Sequence, residues 1–428
     1  MTLTVFLGSL LLAMAIGIPI SMALLVSGVA LMWHLDIFDA QILAQNLLGG
    51  ADNYPLLAVP FFLLAGEIMN EGGLSRRIVE FAMALVGHIR GGLGYVTIVA
   101  SILLSALSGS AVADAAALTT MLLPMMVAAG HAPQRAAGLI AGSGVIAPVL
   151  PPSIGLIIFG VTANVSISRL FMAGIVPGLL MGLALWVTWA IVARNEGTVP
   201  PARKPLREVL AALRRCGWAL MLPVIILVGL RMGVFTPTEA GVVAAVYALF
   251  VSTVVYRGLR LSQLYGIFKA AAKTTAVVMF LVAAAMVSSW LITVADLPGK
   301  VTSMLEPFLG SPILLMAVIM VLVMIVGTAM DMTPTILILT PVLMPVVKAA
   351  GIDPVYFGVM FIMNNAIGLV TPPVGVVLNV VAGVGKMSMD TVTKGVMPFM
   401  FAQFTIMFAM VVFPWLVTGP AKFLHIGP

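Results

Sequence analysis

The stretch VIAPVLPPSIG, Val145 to Gly155, carries three prolines, two of them adjacent, inside a long apolar segment. A proline lacks an N–H, so the carbonyl four residues earlier loses its helical donor. Pro151 and Pro152 therefore free the carbonyls of Ala147 and Pro148, and once the helix opens Leu150 is freed as well. The pattern recurs at VTPPVG from Val370, where Pro372 and Pro373 free Gly368 and Leu369 and the opening frees Thr371. A bare carbonyl in hydrocarbon is costly, and such a break persists only where protein, water or a ligand satisfies it. Two readings follow. A lone proline reads as a kink re-satisfied by its neighbours; adjacent prolines at two matching places favour neutral oxygen sites for a small hard cation such as sodium.

The composition makes the bilayer the solvent. Of 428 residues 62% are hydrophobic and 8% charged, with a mean hydropathy of +1.19, more apolar surface than a soluble core can hide. Continuous apolar runs broken by Gly and Pro predict helices, whereas barrel strands would alternate. The expectation is an all-α polytopic membrane protein with about 10–12 transmembrane helices at about 20 residues each. The first run, FLGSLLLAMAIGIPISMALLVSGVALMW, lacks a basic leader and reads as a retained span. Cys216 is the single cysteine, which excludes a disulfide or a cysteine metal cluster within one chain. The +6 net charge gathers in one loop at Arg194, Arg203, Lys204, Arg207, Arg214 and Arg215, cytoplasmic by the positive-inside rule. No HExxH motif occurs, the four histidines are scattered, and AGVGKMS lacks the residues of a phosphate loop. An intramembrane enzyme thus has no catalytic constellation, and no cofactor is expected beyond sodium as coupling ion.

That basic loop, at 194–215, divides the chain into halves 1–193 and 216–428. A shift of 221 positions lays TTMLLPMMVAAGHAPQ, from Thr119, over TPVLMPVVKAAGIDPV, from Thr340, and VLPP over VTPP. From 119 to 177 this ungapped register matches 13 residues of 59, five prolines and two glycines among them. Apolar composition alone does not align those, so an internal duplication is the better reading. Repeated halves with Pro-interrupted spans are the signature of secondary transporters. A passive channel would not need them.

Each half carries SALSGSAVADAAALTTMLLP or VGTAMDMTPTILILTPVLMP, polar small-residue centres between apolar flanks too short to cross alone. They read as re-entrant hairpins at about 97–127 and 318–348, followed by broken helices at about 136–161 and 356–384. Ser108 and Ser110 offer oxygens at the first tip, and Thr328, Asp331 and Thr333 at the second. Small residues there also suit close helix packing. Asp331 reads as a functional intramembrane acid, as an N-cap, or as both. Asp114 caps, pairs or acts. Asp331, Ser153, Asn364 and Asn365 are candidate substrate contacts, the asparagines equally being interhelical hydrogen bonders. For a substrate carboxylate the candidate cations are Arg135, Arg169 and Lys273, with no basis for choosing among them.

LAVPFFLLAGEIMNEGGLSRRIVEFAMALVGHIRGGLGYVTIVASILLSALSGSAVAD, Leu57 to Asp114, closely resembles the large membrane subunit of tripartite ATP-independent periplasmic (TRAP) transporters, the DctM/SiaM family. The likeness continues through LPPSIGLIIFG, GTAMDMTPTILILTPVLMP and VTPPVGVVLNV. The resemblance implies a sodium-coupled importer of a small organic acid (a C4-dicarboxylate, sialic acid or another sugar acid) in the bacterial inner membrane, working as an elevator. It implies two partners: a small DctQ-like membrane subunit, here a separate chain because the sequence begins at the large subunit's first span, and a periplasmic DctP-like binding protein. It also implies sodium at Ser108, Ser110, Ala147, Leu150 and Pro152, and again at Thr328, Asp331, Gly368, Thr371 and Pro373. Ala147 stands where the family commonly has Gly, a change that keeps the carbonyl. The alternative function is an ion-coupled organic-anion transporter that needs no binding protein.

Overall fold

The structure is a computed structural model that describes residues 2–195, 202–328 and 330–424, and among these it contains helices and no strand. The chain opens with a helical pair, α1 (Thr2–Ala15) and α2 (Ile20–His34), then α3 (Ala40–Ala51), which bends by 51° into the span ending with α4 (Ala58–Glu71). After α5 (Leu74–Val86) come α6 (Gly92–Ser108) and α7 (Ala111–Ala128), and then the interrupted pair α8 (Pro133–Gly144) and α9 (Ile154–Ala163). The long α10 (Ile167–Val192) ends this part. The remainder is α11 (Leu206–Arg231), α12 (Pro237–Phe250), α13 (Leu261–Val294), α14 (Leu297–Leu305), α15 (Pro312–Gly327), α16 (Met332–Ala349), α17 (Pro354–Gly368), α18 (Val376–Gly385), α19 (Met389–Val412) and α20 (Trp415–Leu424).

Local chemistry sets these ends. Ser110, Ser153, Ser166, Ser311, Asp331, Asp353 and Ser388 each cap a helix by accepting from a backbone N–H of its first turn. Pro133, Pro237, Pro312 and Pro354 each occupy the first helical position, where a missing N–H costs nothing. Helices α7 and α16 begin and end 221 positions apart, and α8 and α17 begin at that same offset.

Seven helices are long and apolar enough to cross a bilayer, or eight if the bent pair α3–α4 is one span. The other apolar runs form shorter helices, such as Ile20–His34, Gly92–Ser108 and Ile154–Ala163. Two of the seven, α7 and α16, are hairpin legs, and among the described residues the other legs α6 and α15 and the half-helices α9 and α18 are as apolar but shorter, so apolar runs in the sequence outnumber span-length helices. Of the basic loop at 194–215, residues 196–201 lie outside the described residues, and Arg207, Arg214 and Arg215 already belong to α11.

The two interrupted segments are the core. Residues 136–153 and 356–370 are buried without exception. Helix α8 runs against α6, α7 and α19, while α17 is flanked by α15, α16 and α10. Around this core α4 packs on α12 and α13, and α13 also holds α2 and α3. The α8–α19 crossing is close enough for backbones to touch: a Cβ on Gly395 would stand 1.8 Å from the Gln134 carbonyl oxygen, and one on Gly138 would stand 2.1 Å from the Gly395 carbonyl. Small-residue crossings of this kind replace the hydrophobic effect as the glue between helices in lipid.

Gly395→Ala is therefore expected to destabilise the protein by ~1–3 kcal/mol through overpacking. Thermal unfolding in detergent measures this, with Gly49→Ala as the control because open space surrounds Gly49.

Candidate functional site

At the first hairpin α6 ends on Gly109 in the left-handed conformation, φ +60°, which suits glycine. A side chain there is excluded twice, since a Cβ on Gly109 would lie 2.5 Å from the Pro152 carbonyl oxygen. The hairpin tip thus sits directly on the break. Ser108 donates its hydroxyl to Asp114 and accepts the Ser110 N–H at 3.2 Å. Asp114 is buried, with Ser105 at 3.5 Å from its other oxygen, so it acts as a fixture that orients Ser108. Ser110 caps α7 by accepting from Ala113 N–H at 3.4 Å.

Within the break, the carbonyl that Pro152 deprives, Pro148, is taken by the Ser153 hydroxyl, which also accepts Leu156 N–H at 3.2 Å. Ser153 is fully buried and spent on the backbone, so it stands as the α9 cap rather than as an open substrate contact. Ile146 accepts from both Val149 and Leu150 N–H. Among the described residues no donor reaches the carbonyls of Ala147, Leu150 or Pro152. The peptide bonds Pro151–Pro152 and Pro372–Pro373 are both cis.

The second tip meets its own break in the same manner. A Cβ on Gly368 would stand 2.9 Å from the Gly327 carbonyl oxygen, which brings the Thr328 end of α15 beside Gly368. Here the deprived carbonyls are partly re-satisfied: Gly368 accepts Thr371 N–H at 3.0 Å and Leu369 accepts Val377 N–H at 3.0 Å. The carbonyls of Thr371 and Pro373 receive no donor among the described residues. Thr328 and Thr371 turn their hydroxyl protons back to Ile325 and Ile367, at 2.7 and 2.9 Å. Asp331 is exposed and caps α16 through Met332 N–H at 2.8 Å. The two breaks differ in access, since the first is wholly buried whereas Pro373 and Val374 are exposed.

The halves interlock beside these points. Gly155, just past the first break, lies against Met332 and Ile362, and Phe159 of α9 meets Phe357 and Phe361 of α17 at centroid distances of 6.0 and 5.9 Å. Asn364 and Asn365 are buried inside α17, donating to the carbonyls of Met320 at 2.6 Å and Phe361 at 2.8 Å. Their Oδ1 atoms have no protein partner. A separate cavity of about 230 Å³ opens at the first tip, where Ser108, Ser110, Val112 and Ala113 face Leu63, Gly66, Glu67 and Asn70 of α4 and Thr274 of α13. Asp331, Ser153, Asn364 and Asn365 are not on its walls.

Residues 7–416 match the family model described as "Tripartite ATP-independent periplasmic transporter, DctM component". The chain belongs to the DctM family. Its relatives include the 2,3-diketo-L-gulonate TRAP transporter large permease protein YiaN of Escherichia coli, 55% identical over 99% of this chain and 100% of that one. The sialic acid TRAP transporter large permease protein SiaM of Vibrio cholerae is 40% identical over 96% of both chains. The C4-dicarboxylate TRAP transporter large permease protein DctM of Pseudomonas aeruginosa is 40% identical over 84% of each. All are transporter permeases and none an enzyme. Among solved structures the Alcanivorax borkumensis YdaH transporter shares the fold, with a TM-score of 0.63 at 16% identity over 90% of both chains.

In this DctM-family chain, sequence reasoning passed over Glu67, Asn70 and Thr274, because nothing in the sequence says which apolar helix will face a hairpin tip. One signal was present. A glutamate near the end of the apolar run LAVPFFLLAGEIM is an acid within a span candidate, the kind of residue that marks function by default. Gln403, buried in α19 with both amide atoms unpartnered, carries the same kind of signal.

Since Cys216 is buried, the chain suits single-cysteine labelling without further change. Asp331→Cys and Ser110→Cys are expected to react with a hydrophilic thiol reagent at least about tenfold faster than Asn364→Cys, given that labelling follows thiolate access; mass spectrometry of the labelled protein measures the rates.

Proposed function

We propose that this chain is the large membrane subunit of a sodium-coupled secondary transporter that imports a small organic acid across the bacterial inner membrane. The observation that carries the reading is the meeting of each hairpin tip with a helix break whose carbonyls lack donors, within a chain of the DctM family. At the first break, bare neutral oxygens in a buried place fit a hard monovalent cation, since they supply ligands without full negative charge; at the second, more exposed break the Asp331 carboxylate would add its charge to the set. Ser108, Ser110 and the carbonyls of Ala147, Leu150 and Pro152 would hold one ion. Thr328, Asp331 and the carbonyls of Gly368, Thr371 and Pro373 would hold another. Sodium, when bound, supplies positive charge beside an anionic substrate and couples its own gradient to movement.

The remaining work falls to the chain. Asp114 holds Ser108 in one rotamer, and the Gly109 and Gly368 contacts lock each tip onto its break. An ion filling a site joins tip to break, and a ligand shifts such an equilibrium only through different affinity for its states. The hairpins and interrupted helices would travel as one body against the α4, α12 and α13 group, as an elevator. The substrate class follows the relatives, whose names specify diketogulonate, sialic acid and C4-dicarboxylate. A periplasmic binding protein of the DctP kind would deliver the acid, and a separate small membrane subunit of the DctQ kind would complete the complex.

Uptake of the organic acid into proteoliposomes holding both membrane subunits, with binding protein outside, is expected to stop when external sodium is replaced by potassium. Ser108→Ala and Thr328→Val are expected to raise the half-saturating sodium concentration by about tenfold, the loss of ~1.4 kcal/mol for one oxygen contact. Uptake indifferent to sodium would sink the proposal.

A further inference from the structure

The cavity at the first hairpin tip sets one formal negative charge against neutral hydrogen-bonding groups. Glu67 and Asn70 stand on the α4 side, Ser108 and Ser110 on the hairpin side, and Thr274 of α13 adds a third hydroxyl. No lysine, arginine or histidine lines the cavity. Glu71, one helical turn beyond Glu67, adds charge of the same sign to that wall. The Asn70 side-chain oxygen is occupied, accepting the Ser75 hydroxyl at 2.9 Å, which leaves its NH₂ group to donate.

An ionised carboxylate is an acceptor only. Opposite Glu67, a ligand hydroxyl forms a charge-assisted hydrogen bond, whereas a ligand carboxylate meets a like charge with no cationic side chain between them. One carboxylate of a substrate can lie on the hairpin side, away from Glu67. A second, at the far end of the same molecule, meets Glu67 wherever the ligand spans from the hairpin side to the α4 wall, and a site that spends a polar group on a hydroxyl discriminates steeply against a ligand lacking it.

We propose that Glu67 is a specificity-determining residue that selects acids bearing one carboxylate and several hydroxyl groups and rejects dicarboxylates. This rests on the transport function proposed above and takes the cavity at the first hairpin tip as the place where the organic acid binds.

The test measures competitive binding of gluconate and succinate to the purified two-subunit membrane complex in sodium buffer, without binding protein, so that selection by the delivery subunit does not enter. In the native complex gluconate is expected to bind at least about tenfold more tightly than succinate, the scale on which a mismatched polar contact discriminates. Glu67→Gln keeps shape and removes charge, and is expected to shrink that preference to within about threefold, chiefly by improving succinate binding. Asn70→Asp keeps the acceptor for Ser75 and adds a second carboxylate, and is expected to widen the preference. Should both acids bind with a ratio that neither substitution alters, or should succinate bind the native complex as well as gluconate, the role of Glu67 is overturned while the cavity stands. If neither acid binds the native complex or either variant, the cavity assignment fails and Glu67 with it.

Discussion

A peptide carbonyl that has lost its donor inside an apolar core must find another partner, and much of this molecule is arranged around that need. Pro151–Pro152 and Pro372–Pro373 each deprive two carbonyls in the two most buried helices of the protein. Some are taken back locally: Pro148 by the Ser153 hydroxyl, Gly368 by Thr371 N–H, Leu369 by Val377 N–H. What remains is Ala147, Leu150 and Pro152 on one side and Thr371 and Pro373 on the other, with the Pro152 carbonyl lying against the first hairpin tip. Because several kcal/mol ride on each uncompensated group in hydrocarbon, the tips are where a partner is most strongly demanded.

Glycine makes the meeting possible. Gly109 and Gly368 allow backbone to lie on backbone where any Cβ would intrude, and Gly138 with Gly395 does the same between α8 and α19. Such contacts are short and specific, so a tip either sits on its break or does not. The two ends are nevertheless unlike. The first break is sealed and its hairpin legs α6 and α7 pack along each other, while α15 leans on α17, α16 leans on α9, α13 and α14, and the second break reaches the surface. Two similar sequences have thereby been given different access.

The helices and their interruptions were legible in the sequence because their causes are local. A proline removes a donor wherever it stands, Ser110 and Asp331 cap whichever helix follows them, and the offset of 221 positions that aligns the prolines also aligns the bounds of α7 and α16. The candidate site was legible only in part. Ser108 and Ser110 line one cavity and Gly109 between them lies on the Pro152 carbonyl, while Gly327, next to Thr328, lies beside Gly368. Ser153 is a backbone cap, Asn364 reaches across to the Met320 carbonyl of α15, and Asn365 turns back on Phe361 of its own helix. A polar residue near a break can serve the break or the cavity, and sequence cannot show which way it points.

What the sequence by itself determined is everything that depends on near neighbours along the chain: an all-helical membrane protein, its two proline breaks, its caps and its glycine-marked turns. Those follow from missing N–H groups, from side chains short enough to reach their own backbone, and from apolar runs that only a bilayer can accept. Only the tertiary structure decided which wall faces the first hairpin tip, that this wall carries Glu67 and Asn70, and that Asp114 is folded inward to hold Ser108. These relations join residues distant in sequence or turned about a tip, and they are fixed by which glycine faces let helices approach, a matter of packing rather than of local propensity.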